Sequence, residues 1–308
     1  MKILILGGSG FIGSHIVDKL VSLGYSVRVY CKSSEKILNL QLSIKKIELF
    51  QGDLSNEELL NKALDGVSVV VHLISSSIPS TSNKDFADDL QENVIKTLKL
   101  FELAKKSGVL KIIFASSGGT IYGIPSQLPI LESQLCNPIC SYGISKLIIE
   151  KYLYLHNYLY GIDYAVLRIS NPYGPRQNPF GNVGFINVLL SSVMNKKPIT
   201  IWGDGTVSRD FLYISDLVDV FIKAIELNTP SRVYNVGSGK SYSLNDVIQI
   251  SREVTGSPVE VFYSSSRIHD VPINYLDINL AKNELFWSPK VNIIDGVRLL
   301  WNNINCRN

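Results

Sequence analysis

Cysteine is scarce in this sequence: Cys31, Cys136, Cys140 and Cys306 are the only four in 308 residues, and none belongs to a paired C-x-x-C motif. That excludes a disulfide scaffold and argues for free thiols in a reducing compartment. Histidine is equally sparse. His15, His72, His156 and His269 show no metal-ligand spacing, so no metal site is expected. Charge of one sign is not concentrated anywhere: 30 basic and 27 acidic residues leave a net +3, and no basic run marks a nucleic-acid or membrane surface. Long apolar runs are missing too. The stretch 67–74, among the longest, is broken by Ser68 and His72, whereas a membrane helix needs ~20 residues. Before the first glycines stand only Ile3, Leu4, Ile5 and Leu6, too short for an export signal. A cytoplasmic protein with neither nucleic-acid nor membrane partners is therefore expected. Internal repeats and low-complexity segments are absent as well.

What is present is enough apolar material for a sizeable core, 45% hydrophobic against 19% charged, in a chain about twice the ~150 residues of an ordinary domain. Short β-branched runs at 2–6, 26–31, 46–50, 68–73, 111–115 and 164–169 alternate with helical patterns at 10–23, 56–64, 86–106 and 142–160. Gly24, Gly66, Gly108 and Gly161 stand where those helices should end. The alternation predicts an α/β fold, a doubly wound parallel sheet of the Rossmann type. Beyond Asn171 the pattern shortens into Pro- and Gly-rich loops with elements near 186–195, 199–202, 215–227 and 243–255. We expect a dinucleotide-binding domain over 1–170 and a smaller α/β lobe over 171–308, partly interleaved with the first.

The segment Gly7-Gly8-Ser9-Gly10-Phe11-Ile12-Gly13 follows the first strand and opens the first helix. Alone, it describes no more than a tight turn. In this position small residues let backbone approach a pyrophosphate, and the helix N-terminus offers unpaired N–H groups and partial positive charge. A carboxylate for the ribose 2'-hydroxyl of NAD is expected ~20 residues later, yet the second strand ends in Tyr30-Cys31-Lys32-Ser33-Ser34, with no acid before Glu35. Lys32 and Ser33 suit a 2'-phosphate, which favours NADP(H). The alternative is a solvated lysine and NAD bound without the acid. Asp53, followed by Leu54, suits an adenine contact or a turn before a helix. Tyr142 and Lys146 lie one helical turn apart just after the fifth strand, whose end would face a nicotinamide. With 15 tyrosines in the chain the spacing alone decides nothing. A phenol with an ordinary pKa of ~10 needs a nearby cation to exchange protons near neutrality, and Lys146 can supply one. The stripe Tyr152, Leu153, Leu155, Tyr158 and Leu159 reads as a packing face.

The glycine motif, the segment Ser116-Ser117-Gly118-Gly119-Thr120-Ile121-Tyr122-Gly123, the Tyr142/Lys146 pair, Arg168-Ile169-Ser170-Asn171-Pro172-Tyr173-Gly174-Pro175, Trp202-Gly203-Asp204-Gly205 and Arg209-Asp210-Phe211 together resemble the extended short-chain dehydrogenase/reductases, in their nucleotide-sugar epimerase, dehydratase and reductase branch. The resemblance spans almost the whole chain. It implies that Tyr142 exchanges a proton with a sugar 4-hydroxyl while C4 exchanges hydride with the nicotinamide, and that Lys146 holds the nicotinamide ribose. It also implies that Asn171, Arg209, Arg267 and Asp270 grip the nucleotide diphosphate, and that the helices at 86–106 and 142–160 form a homodimer. The Ser or Thr usual in the family falls on Gly118 here, so Ser117, or else Thr120, has to replace it. A dehydratase would need acids where Gly118, Gly119 and Thr120 stand. Because of Lys32 and Ser33, the expected activity is an NADPH-dependent 4-ketoreductase of a dTDP-4-keto-6-deoxyhexose, serving surface-polysaccharide synthesis. The alternative is a UDP-hexose 4-epimerase, for glucose or N-acetylglucosamine, that recycles NAD.

Overall fold

The computed structural model describes residues 1–32, 35–179, 184–266 and 271–306. Residues 3–6 and 69–72 are buried throughout, a condition met only by a sheet covered by helices on both faces. The strands are β1 (Lys2–Leu6), β2 (Ser26–Cys31), β3 (Ile47–Gln51), β4 (Val69–His72), β5 (Lys111–Ser117) and β6 (Asp163–Ile169), with a seventh, Val233–Val236, from the second half. Their order is Val233–Val236, β6, β5, β4, β1, β2, β3. Every pair is parallel, with Ile3 opposite both Val27 and Val69. Alternate side chains of β1 enter two different cores. Ile3 and Ile5 pack with Ile16, Val17 and Leu20 of α1 (Phe11–Ser22). Leu4 and Leu6 pack with Leu60 and Leu64 of α2 (Glu57–Leu64). The expected doubly wound α/β fold is thus the observed one.

Two elements depart from expectation in ways that matter for the site. The helix expected over 86–106 is divided into α3 (Phe86–Asp89), a π-helical turn (Leu90–Ile95) and α4 (Lys96–Lys106). Inside the wide turn the Asn93 amide donates to the carbonyl and to Oδ1 of Asp89, both at 3.0 Å, and its own oxygen accepts the Ser76 N–H at 2.8 Å. Such turns recur at functional sites. Strand β5 runs two residues further than expected and so includes Ser116 and Ser117.

Helix α5 (Ser141–Tyr160) ends on Gly161, in the left-handed conformation at φ 71°. It buries Lys146, Ile149, Glu150, Leu153 and His156 along one face. Of the stripe read as a packing face, only Leu153 is buried. Tyr152, Leu155, Tyr158 and Leu159 are exposed, because they fall on the side of the helix turned away from the sheet. The second half is made of short strands. Asn171–Tyr173 pairs with Phe211–Tyr213, Ser208–Arg209 with both Tyr242–Ser243 and Ile273–Asn274, and Ile199–Trp202 with Val261–Ser264. Five helices accompany them among the described residues: α6 (Phe185–Met194), α7 (Ile214–Glu226), α8 (Leu244–Thr255), α9 (Asn279–Glu284) and α10 (Ile293–Asn305). Helix α7 and strand Val233–Val236 return to the large sheet and its core. No helix among the described residues is long and apolar enough to cross a membrane.

Candidate active site

The turn after β1 is held by backbone. Gly7, at φ 82°, donates to the Tyr30 carbonyl at 2.8 Å, and its own carbonyl accepts the Gly10 N–H at 3.0 Å. A Cβ on Gly13 would sit 2.4 Å from that same carbonyl and 2.7 Å from Cα of Gly8, so only glycine lets α1 start this close to the turn. Gly10 precedes α1 without a side-chain cap, leaving the N–H groups of Phe11 and Ile12 at an open helix end fit for a pyrophosphate. A Cβ on Gly7 would lie 3.3 Å from Ile74, beyond β4. Chain order reverses between β1 and β4, and doubly wound sheets bind their ligands at such a point.

The ends of β2 and β3 carry the groups on which the NADP expectation rests. Lys32 lies 3.0 Å from Oδ2 of Asp53, while Oδ1 of Asp53 takes Lys96 at 2.9 Å and both the backbone N–H and hydroxyl of Ser55. These donors, Lys96 foremost, hold the Asp53 carboxyl far below the usual carboxylate range. A 2'-phosphate beside Lys32 would therefore meet a fixed anion. Lys32 is thus already paired and does not by itself favour NADP over NAD. Ser33 lies outside the described residues. Asp53 forms the turn, Asn56 caps α2 by accepting from Leu59 N–H at 3.0 Å, and Leu54 is buried in the core beside α2.

Ser117, Tyr142 and Lys146 come together at the ends of β5 and α5. Burial, with Cys140 and Asp89 nearby, pushes the Tyr142 phenol up to about 12, against the opposing pull of the Ser117 hydroxyl. Lys146 Nζ donates to the Ala115 carbonyl at 2.9 Å and lies 4.7 Å from the Phe114 ring centre and 5.5 Å from that of Tyr142. Burial pulls it down to about 8 against the opposing pull of Glu150 and Asp89. Gly118 has no room for a side chain: a Cβ would lie 2.6 Å from Leu276 Cδ1 and 2.9 Å from the Arg168 carbonyl. Of the two candidate hydroxyls it is Ser117 that bears on the Tyr142 phenol, and Thr120 Oγ1 is buried with no hydrogen-bond partner among the described residues.

The residues expected to meet a substrate are anchored on backbone. Asn171 donates its amide to the Asp210 carbonyl at 3.0 Å, and Arg209 donates to the carbonyls of Ser208 at 2.9 Å and Val271 at 2.6 Å. Arg267 and Asp270 lie outside the described residues. Four polar groups near the site escape a reading of the sequence. Asn274, fully buried, donates to the Gly118 carbonyl at 3.2 Å. Glu150 binds Arg168 at 2.7 Å and the Ser116 hydroxyl at 2.5 Å. Asp89 and Asn93 flank the π-helical turn. Only Glu150 leaves a signal, four residues beyond Lys146 on the same helix face.

The sequence model of the NAD dependent epimerase/dehydratase family matches residues 3–237. Among curated relatives, a putative UDP-glucose 4-epimerase of Methanocaldococcus jannaschii is 37% identical, over 97% of each chain. A dTDP-4-dehydro-6-deoxyglucose reductase of Escherichia coli is 33% identical, over 99% of this chain and 98% of its own. Among solved structures, the UDP-glucose 4-epimerase of Thermotoga maritima with UDP-glucose superimposes with a TM-score of 0.94 at 35% identity, covering 100% of this chain and 99% of that one. The Thermus thermophilus UDP-glucose 4-epimerase in complex with NAD gives 0.92 at 30%, covering 99% of each.

Proposed function

The chain belongs to the NAD dependent epimerase/dehydratase family, and on that premise we propose that it is a UDP-hexose 4-epimerase, with UDP-glucose as the first substrate to test. The observation that carries this reading over the 4-ketoreductase is the Lys32–Asp53 ion pair, which disfavours the NADPH a biosynthetic reductase draws on. Likeness to UDP-glucose 4-epimerases, one of them solved with NAD, supports it. NAD is accordingly the proposed cofactor.

When bound, an oxidised nicotinamide supplies a hydride acceptor for C4 and a positive charge beside the phenol. Tyr142 removes the proton from the sugar O4 as C4 is oxidised and returns it on reduction. Ser117 holds that oxygen in line with the phenol. Lys146 keeps a cation within reach of the phenol, whose ionisation burial opposes. Residues from 171 onward provide the substrate side, with Asn171 and Arg209 directed to the nucleotide diphosphate. The exposed apolar side of α5, with Ile144, Leu155 and Leu159, is where we place a homodimer contact. Four unpaired cysteines suit a cytoplasmic enzyme.

The test is to purify the protein, measure nucleotide released on denaturation, and supply UDP-glucose with no added cofactor. Bound NAD and conversion to UDP-galactose are expected. Stoichiometric NADPH consumption on a dTDP-4-keto-6-deoxyhexose, with no UDP-glucose turnover, would overturn the epimerase in favour of the reductase that the Escherichia coli relative represents.

A further inference from the structure

Asp89 is only 3% exposed, and among the described residues no cation pairs with it. Its carboxylate is met instead by neutral donors. Oδ2 takes the hydroxyls of Ser141 at 2.8 Å and Ser145 at 2.6 Å, and Oδ1 takes the Asn93 amide at 3.0 Å. Those two serines alternate along α5 with Tyr142 and Lys146. A second strap ties the same turn, as Asn83 accepts the Ser141 N–H at 2.9 Å. An unpaired carboxylate is costly to bury, so its presence here calls for a compensating charge nearby.

The charges around Lys146 identify it. On its own helix are Tyr142 and Glu150, but Glu150 is committed to Arg168 of β6, which it binds through both oxygens. From β4, His72 faces the lysine and is held neutral, pulled down to about 3 by burial and by the lysine itself. From β5 come the Phe114 ring and the Ala115 carbonyl. Cys140, ahead of α5, bears on Tyr142. Glu150 and Asp89 both favour the charged lysine, and of the two only Asp89 is not already held by a guanidinium.

We propose that Asp89 is a positioning residue for Tyr142 and Lys146: it fixes the first turn of α5 through two serine hydroxyls and sets a buried negative charge against the lysine. This rests on the reading of Tyr142 and Lys146 as the proton-handling pair. The electrostatic part is consistent with the effect of Asp89 on both groups, which favours the charged lysine and disfavours the phenolate.

The test is the substitution Asp89→Asn, which keeps the shape and an acceptor oxygen and removes only the charge. Lysine labelled with ¹³C at Cε allows Lys146 to be titrated by NMR in the cofactor-free protein, with Lys146→Met for assignment. The Lys146 midpoint is expected to fall by on the order of one pH unit in Asp89→Asn, and both limbs of the kcat–pH profile should move to lower pH. An unchanged midpoint, with activity merely scaled down, makes Asp89 a structural strap and overturns the proposal. If Asp89→Asn does not fold, the double variant Ser141→Ala/Ser145→Ala removes the donors and keeps the charge. Its Lys146 midpoint should stay at or above that of the wild type, and a fall would equally overturn the proposal. Because the NMR titration needs neither substrate nor cofactor, it is independent of whether Tyr142→Phe abolishes epimerisation, the outcome that bears on the catalytic reading itself.

Discussion

Under α5, buried Glu150 answers buried Arg168 with a two-oxygen ion pair, 2.7 Å at its shortest. Among the short strands of the second half, fully buried Asp210 has no cation among the described residues. Its oxygens accept the Ser238 N–H at 2.6 Å and hydroxyl at 2.8 Å, and the N–H groups of Gly239 and Leu276 at 3.3 Å. Arg209 next to it donates to two backbone carbonyls. The difference teaches what each region is for. Around α5 the carboxylates of Glu150 and Asp89 both bear on Lys146, whereas a carboxylate satisfied by backbone dipoles staples chain segments together. Asp210 joins its own segment to 238–239 and 276, and does for irregular loops what strand pairing does for the sheet.

The contrast predicts, first, where chemistry breaks. Tyr142→Phe should lower kcat by ~10²- to 10⁴-fold, the usual worth of general acid–base catalysis, and leave KM nearly unchanged. Arg209→Ala, among the short strands of the second half, should act in the opposite sense, raising KM for the nucleotide sugar more than it lowers kcat. Steady-state kinetics on both variants checks the pair. If kcat collapsed in Arg209→Ala and stayed normal in Tyr142→Phe, the division of labour would be reversed.

Stability should divide along the same line. Glu150→Gln leaves the Arg168 guanidinium buried without an anion and should cost ~3–5 kcal/mol, most of it regained by the double change Glu150→Leu/Arg168→Met. Asp210→Asn keeps an acceptor for the same N–H groups and should cost ~1–3 kcal/mol. Urea midpoints at constant m-value decide the order. A larger loss in Asp210→Asn would show that dipole stapling bears more of the fold than the ion pair does.

The dependence on pH gives a smaller effect with a definite sign. Lys146 is pulled down from 10.5 to about 8 in the folded protein, so between those values the unfolded chain binds the extra proton and stability rises with pH. Across the window the gain is on the order of 3 kcal/mol. It should appear as an upward slope in urea-unfolding free energy between pH 8 and 10 that is absent in Lys146→Met. Asp210 works the other way. Burial raises its carboxyl, so its contribution is present below the usual carboxylate value and is lost as pH rises through the folded one.

Legibility in the sequence follows the same division. The sheet can be read because residues 3–6 of β1 and 69–71 of β4 are apolar strings and because Gly161 stands where α5 must stop; the glycine motif can be read because its spacing is local and it follows a strand. Tyr142 and Lys146 are legible as a pair one turn of one helix apart, although with 15 tyrosines in the chain it is their place after β5 and the family resemblance that single them out. Asp89 is not: its partners, Ser141 and Ser145, are 52 and 56 residues away, and no short-range pattern encodes that distance. Asn274 meets Gly118 across 156 residues. The π-helical turn depends on where the Asn93 amide finds Asp89 and Ser76, so periodicity alone runs one helix through it. Lys32 misleads because Asp53, which neutralises it, arrives from the next strand of the sheet.

Lys32 carries the smallest expected effect and the sharpest consequence. Its side chain is 77% exposed, so the ion pair with Asp53 should contribute no more than ~1 kcal/mol to stability, and Lys32→Ala should leave the unfolding midpoint almost unmoved. NAD affinity should change little, because the pair answers Asp53 and not the ribose. NADP binding should be weak in the wild type and no stronger in the variant, since the Asp53 carboxylate left behind by Lys32→Ala would repel a 2'-phosphate. Titration of both dinucleotides against both proteins, after removal of any co-purified nucleotide, measures this directly. A wild type that prefers NADP, with the preference lost in Lys32→Ala, would mean that the ion pair opens for the phosphate, and the reductase would then be the better reading of the site.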